Sequence, residues 1–268
     1  MENEIHRDTL NTALAGTLFA GKLYHYATIG STNTHALEQA AAGAAHGSVY
    51  VADEQTSGRG RGTHAWHSES GAGLYISVLL RPDILPGDAL WFSLAAGLAV
   101  QQAVENVTAM VADIRWPNDL LLGDRKFCGI LTEMNAEPTK IRSAVIGIGI
   151  NVNHAYFPRE LATQATSLRY ESGRMVQRGE LLTAVLHCLS HELHALSYPQ
   201  KLPLATRSIL QRLEQKSTWI RGKRVHVNES GGYTGVTAGL DEWGFLRVET
   251  PDGLRTVLSG GVREQKAP

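Results

Sequence analysis

Apolar residues recur along this chain at two spacings, and the switches between them mark out its elements. Leu37, Ala40 and Ala41 fall at helical intervals within an Ala-rich stretch, 34–45, behind a Ser31-Thr32-Asn33 cluster suited to capping a helix. Residues 48–52 and 74–80 are strand-length apolar runs, joined by a Gly-rich stretch from Ser57 to Gly73. Leu90, Leu94, Leu98, Gln101 and Val104 predict a helix over 90–107, with Gln101 a polar break in its stripe. Strand-sized pieces follow at 113–116, 119–122, 127–134 and 144–151. Leu182, Val185, Leu186, Leu189, Leu193 and Leu196 then predict a long helix over 178–197, with another over 204–215.

After Ser217 the pattern changes. Short strands are predicted at 224–227, 233–238, 245–249 and 255–258, with turn signals at Gly231-Gly232, at 241–244 and at Asp252-Gly253. The expected organisation is an α+β body over residues 1–217, followed by a small all-β domain over 218–268.

Composition narrows the class. The 268 residues are 43% hydrophobic and 19% charged, enough apolar material for a buried core. Lys plus Arg number 25 against 26 Asp plus Glu, a net charge of −1, which argues against a broad nucleic-acid surface. Cys128 and Cys188 are too few for a disulfide framework. The polar start carries no signal pattern, and no apolar run approaches the roughly 18 residues of a membrane helix. A soluble, cytoplasmic protein without a membrane partner is expected.

Candidate chemistry begins at Ser57-Gly58-Arg59-Gly60-Arg61-Gly62. Its glycines let backbone approach a ligand, and each guanidinium can grip a carboxylate or phosphate; the segment also reads as a solvated basic loop. Trp116-Pro117-Asn118-Asp119 can place an amide and a carboxylate at a strand end, where Asp119 would hold magnesium, orient an amine, or simply form an Asx turn. Gly123-Asp124 makes a hairpin turn that projects Lys126 from a strand start, as a phosphate partner or an edge-strand charge. Cys128 reads as a small core residue. In Ile146-Gly147-Ile148-Gly149-Ile150-Asn151 the isoleucines share one face and Gly147, Gly149 and Asn151 the other, a flat face that suits a close backbone or a flat ligand. His187, His191 and His194 share a helix face, yet His191-Glu192-Leu193-His194 is one residue short of the zinc-protease spacing and reads as a solvated flank.

Taken in order, these segments resemble the biotin protein ligases. The resemblance rests on Ser31-Thr32-Asn33, Gln55, Gly58-Arg59-Gly60-Arg61, Gly73-Leu74-Tyr75 and Trp116-Pro117-Asn118-Asp119. Arg125-Lys126 with Gly129-Ile130-Leu131, and the strand 147–151, complete it, so that it spans most of residues 31–151. The tail, with Gly235, Gly239, Asp241, Gly244 and Ser259-Gly260, is similar to the family's C-terminal domain. The fold this implies is a mixed-sheet catalytic domain of the class II synthetase and biotin-ligase type, followed by a small SH3-like β-barrel.

The resemblance also implies a two-step reaction on biotin and MgATP: formation of biotinyl-5′-AMP, then transfer to a lysine of a biotin carboxyl carrier protein domain. It assigns Arg59, Arg61, Asp119 and Lys126 to catalysis. Ser31, Thr32, Asn33, Gln55 and Gly60, with Arg59, Arg61 and Lys126, are expected around biotin. Trp66, Asn118 and Asn151, again with Arg59, Arg61 and Lys126, are expected around the adenylate, and magnesium is expected to arrive without a fixed protein site. Little chain precedes Leu23, which implies a form lacking the N-terminal DNA-binding domain and binding no DNA; pairing of strand edges into a homodimer is available to the family. Gly62-Thr63-His64-Ala65, Gly73 and Gly261 depart from the family's usual residues. The rival readings are a lipoate or octanoate ligase of related fold and a biotin-binding sensor without transfer activity.

Overall fold

The computed structural model describes residues 5, 7–229, 231–259 and 261–265. In chain order its elements are α1 (Arg7–Ala13), β1 (Leu23–Ile29), α2 (Thr32–Ala41), β2 (Ser48–Gln55), β3 (Gly73–Leu80), α3 (Leu90–Thr108) and β4 (Asp113–Arg115). There follow β5 (Asp119–Leu122), β6 (Arg125–Glu137), β7 (Lys140–Asn151), α4 (Leu168–Ser172), α5 (Arg178–Leu196) and α6 (Leu202–Lys216). The chain ends in β8 (Arg221–Val227), β9 (Tyr233–Leu240), β10 (Leu246–Thr250), β11 (Gly253–Val257) and β12 (Val262–Glu264).

A seven-stranded sheet in the order β1-β2-β3-β7-β6-β5-β4 forms the body, with β1 and β2 parallel and the other neighbours antiparallel. The mixed α+β architecture expected from the sequence is the one observed. One face of the sheet is covered by α3, which touches β6 and β7 on one side and α5 on the other. That double contact explains why α3 is buried nearly all round rather than along a stripe. Its polar break, Gln101, is buried and donates from Nε2 to the Ala112 carbonyl at 2.6 Å. The leucine stripe of α5 is wholly buried, as its period predicts. The α2 helix starts two residues before the expected stretch, because Ser31 itself is the cap.

The second, SH3-like unit is an antiparallel five-stranded sheet in the order β11-β10-β9-β8-β12. It is fastened to the body by Trp116, whose Nε1 donates to the Gly244 carbonyl at 2.9 Å. Gly244 has φ +85°, and a Cβ there would stand 2.9 Å from Leu94 Cδ1, so glycine is required twice over. Ser217 Oγ closes the joint by donating to the Ile114 carbonyl at 2.6 Å. Gly260, one of the resemblance residues, lies outside the described residues. Among those described, no helix is long and apolar enough to cross a membrane.

Candidate active site

The start of α2 builds a neutral hydrogen-bonding cradle. Ser31 Oγ caps the helix by accepting from the Thr34 amide. Thr32 donates from its backbone N and from Oγ1 to Gln55 Oε1 at 2.8 and 3.0 Å, while Gln55 Nε2 donates to Ser68 Oγ at 2.9 Å. Asn33 Nδ2 donates to the Leu131 carbonyl at 3.3 Å and to Glu133 Oε2 at 3.0 Å. Ser77 Oγ lies 2.6 Å from Asn33 Oδ1 and 2.8 Å from Thr32 Oγ1, and its single proton serves one of them at a time. Ser77 and Glu133 were not singled out by sequence. Ser77 left a signal, a lone hydroxyl inside the apolar run of β3; Glu133 left none.

The alternation in β7 is the expected one. Ile146, Ile148 and Ile150 are in the core, and the glycine face is covered from the other side. A Cβ on Gly147 would overlap Asn33 Oδ1, and a Cβ on Gly149 would stand 2.5 Å from the Trp66 indole. Gly129 on β6 lies under the same indole and the Lys126 side chain. The flat partner of this face is therefore a tryptophan ring. The Trp66 Nε1–H is buried with no hydrogen-bond acceptor among the described residues.

The basic segment is no loose loop. Gly60 N donates to the His64 carbonyl at 2.7 Å and Trp66 N to the Gly58 carbonyl at 2.9 Å, a small hairpin in which Arg59 pairs with Ala65 and the turn is Arg61-Gly62-Thr63-His64. Its two arginines point to different partners. Arg59 makes a bidentate pair with Glu133, at 3.1 and 2.8 Å. Arg61 donates to Asn118 Oδ1 at 3.1 Å and to the Ser259 carbonyl of the second unit. Asn118 is held in turn, its Nδ2 donating to the Ile130 carbonyl at 2.9 Å.

Lys126 Nζ lies 2.5 Å from Asp119 Oδ1 and 5.1 Å from the centroid of the Trp66 ring. The other oxygen of Asp119 takes Arg115 Nη2 at 2.6 Å, and Arg115 and Asp119 are register partners on β4 and β5. Burial alone would raise the Asp119 carboxyl, but Lys126 and Arg115 together outweigh it and hold the group below the usual carboxylate range. Arg115 was not singled out by sequence. Cys128 is fully buried, and burial pushes its thiol up, away from nucleophilic use.

These side chains surround an open cleft. Ser31, Thr32, Asn33 and Gln55 line it, and so do Arg59, Gly60, Arg61, Trp66, Asn118 and Lys126. Asp119 stands behind Lys126. Asn151 does not line the cleft; its Nδ2 donates to the Thr166 carbonyl at 3.0 Å, beneath the segment whose Gln164 and Thr166 pair with the Lys126 backbone. His187 and His194 turn to the Ala13 carbonyl and to Lys201, and the helix-face histidines do not converge.

Residues 26–151 match the Biotin/lipoate A/B protein ligase family, and residues 221–262 match the Biotin protein ligase C terminal domain. The bifunctional ligase/repressor BirA of Bacillus subtilis is 36% identical over 242 residues, 90% of this chain and 73% of that one. The biotin–[acetyl-CoA-carboxylase] ligase of Mycobacterium tuberculosis is 34% identical over 242 residues, 88% of this chain and 85% of that one. Among solved structures, the biotin protein ligase of Aquifex aeolicus in complex with biotin and ATP superposes with a TM-score of 0.78 at 30% identity, covering 92% of this chain and 100% of that one. With sequence, both structural units and overall fold in agreement, the chain belongs to the biotin protein ligase family.

Proposed function

We propose that this chain joins biotin to ATP at the cleft, forming biotinyl-5′-AMP and pyrophosphate, and then transfers the biotinyl group to a lysine of a biotin carboxyl carrier domain. The observation that carries the reading is the division of the cleft into a neutral end and a cationic end. The Thr32, Asn33, Gln55 and Ser77 network offers donors and acceptors without charge, which suits a polar, uncharged ureido ring. Arg61, on Asn118, and Lys126, on Asp119, stand at the other end, and Arg59 joins the two from its pair with Glu133 beside Asn33. A carboxylate must there approach a triphosphate, and cations offset both that repulsion and the charge developing at phosphorus.

In the first step the biotin carboxylate oxygen attacks the α-phosphorus and pyrophosphate leaves. Lys126 and the two arginines bind and orient the anions. Magnesium, when bound, neutralises phosphate charge. Asp119 does not fit as its ligand, since both carboxylate oxygens are held by cations. In the second step a carrier lysine attacks the mixed anhydride and AMP leaves. A free lysine amine titrates at about pH 10.4, so only about 0.1% of it is neutral at pH ~7.4. Asp119, expected from the resemblance to orient that lysine, has both oxygens held by Lys126 and Arg115, and its part in this step is to position Lys126.

ATP–pyrophosphate exchange with magnesium, run separately with biotin, lipoate and octanoate, tests the reading. Exchange with biotin alone is expected. Exchange with lipoate or octanoate instead would move the chain to the related ligases. Biotin binding with no exchange would make it a sensor.

A further inference from the structure

We propose that His67, Glu69 and His154 form a binding site for a zinc-class divalent cation, which clamps the β2–β3 loop to the chain leaving β7. His67 and Glu69 follow Trp66 in the loop, and His154 lies just past the end of β7. One ligand atom from each lies within 4.8 Å of the other two, and among the described residues no other His, Cys, Asp or Glu group is gathered in this way. The two imidazole centroids are 5.7 Å apart, and His67 Nε2 is 3.9 Å from Glu69 Oε2.

A second, independent observation points to a ligand. His154 is wholly buried, and its Nδ1 has no hydrogen-bond partner. An orphaned buried nitrogen of this kind is costly and calls for a use. The ring is also held ready: it stacks on Phe157 at 5.2 Å, and the Tyr75 hydroxyl lies 3.5 Å from Nε2.

Two imidazoles and one carboxylate are the donor set of zinc and cobalt, not of magnesium, which takes oxygen ligands. Tetrahedral ligands at zinc distances stand about 3.3 Å apart, so the three side chains must close slightly. Glu69 is exposed and His67 half-buried, which leaves both free to move onto a fixed His154. This cation is separate from the magnesium that accompanies ATP. Ser68, between the two loop ligands, accepts from Gln55, and Trp66 precedes them. A metal here would therefore hold in place the loop that carries Arg59, Arg61 and Trp66.

The test is titration of the EDTA-treated full chain with zinc chloride in millimolar magnesium, by calorimetry, with cobalt absorption as a second probe. One zinc per chain and a raised Tm are expected. The double variant His67→Ala/Glu69→Ala should bind at least tenfold more weakly while keeping the metal-free Tm of the parent. A His191→Ala variant, on the other histidine face, should bind as the parent does. Absence of stoichiometric zinc binding, or a loss under tenfold in the double variant, would overturn the proposal.

Discussion

Lys126 Nζ stands 2.5 Å from Asp119 Oδ1 across β5 and β6, so the cation facing the cleft and the carboxylate behind it are one ion pair. Asp119 is shared with Arg115, which makes the cluster two cations on one buried anion. Removing the anion leaves two like charges close together with nothing between them. Its loss should therefore disturb Lys126 as much as it removes a charge of its own.

A non-additive double-mutant cycle is the first consequence. Lys126→Ala should slow ATP–pyrophosphate exchange about 100-fold, the usual scale for losing one aligned electrostatic contact. Asp119→Ala should also slow exchange, because Lys126 loses its anchor. The double variant should be scarcely slower than Lys126→Ala, leaving a coupling of about 1 kcal/mol or more. Rates that simply multiply would mean that the two side chains act separately.

The pH behaviour of Asp119 follows from the same cluster. Its folded pKa lies below the unfolded value of about 3.9, because Lys126 and Arg115 overcome the burial that would raise it. The pair therefore contributes stability fully above about pH 4, and that contribution falls away as pH drops through the lower folded pKa. At neutral pH Asp119 stays ionised. Single-turnover transfer from preformed adenylate should rise with pH as the carrier lysine deprotonates, with the same shape in Asp119→Asn at a lower rate. An inflection between about pH 5 and 8 that disappears in Asp119→Asn would show instead that Asp119 itself titrates during transfer.

Gly149 gives a steric prediction. A Cβ there would press on the Trp66 indole from 2.5 Å, against a strand that cannot retreat. Gly149→Ala should shift Trp66 and raise the biotin KM at least tenfold, with a smaller change in kcat. Intrinsic tryptophan fluorescence reports the shift directly. Unchanged fluorescence and KM would mean the indole has room to spare.

That glycine face was legible in the sequence because strand geometry is local: a period of two sorts Gly147 and Gly149 from the isoleucines without knowledge of any partner. What covers the face was not legible. Trp66 and Asn33 reach it from loop and helix positions far away in the chain, and no periodicity encodes such a contact. The basic segment shows the same limit. Arg59 and Arg61 were readable as candidate anion-binding groups, but Glu133 and the Ser259 carbonyl are brought to them by the fold across 74 and 198 residues. Arg115 escaped notice although it is only four residues from Asp119, because the turn between β4 and β5 sets that register. Among the elements, β1 was missed since its alternation is blurred: only Leu23 is fully buried and its other residues are partly or well exposed.

The joint between the two units supplies the last prediction. Trp116 heads the turn that carries Asn118 and Asp119, and its Nε1 donates to the Gly244 carbonyl in the turn between β9 and β10. Asn118 in turn positions Arg61, which also reaches Ser259 in the second unit. Trp116→Phe keeps an aromatic ring but leaves a buried carbonyl without its donor, a loss of about 1–3 kcal/mol. For a chain of this size that lowers Tm by about 2–4 °C per kcal/mol. If the second unit helps aim Arg61, exchange should also slow several-fold, chiefly through the ATP KM, since the biotin cradle on α2 shares none of these contacts. Calorimetry and exchange kinetics on the same variant separate the two effects. A lowered Tm with unchanged KM would assign Trp116 to stability alone and leave Arg61 aimed by Asn118 without help from the second unit.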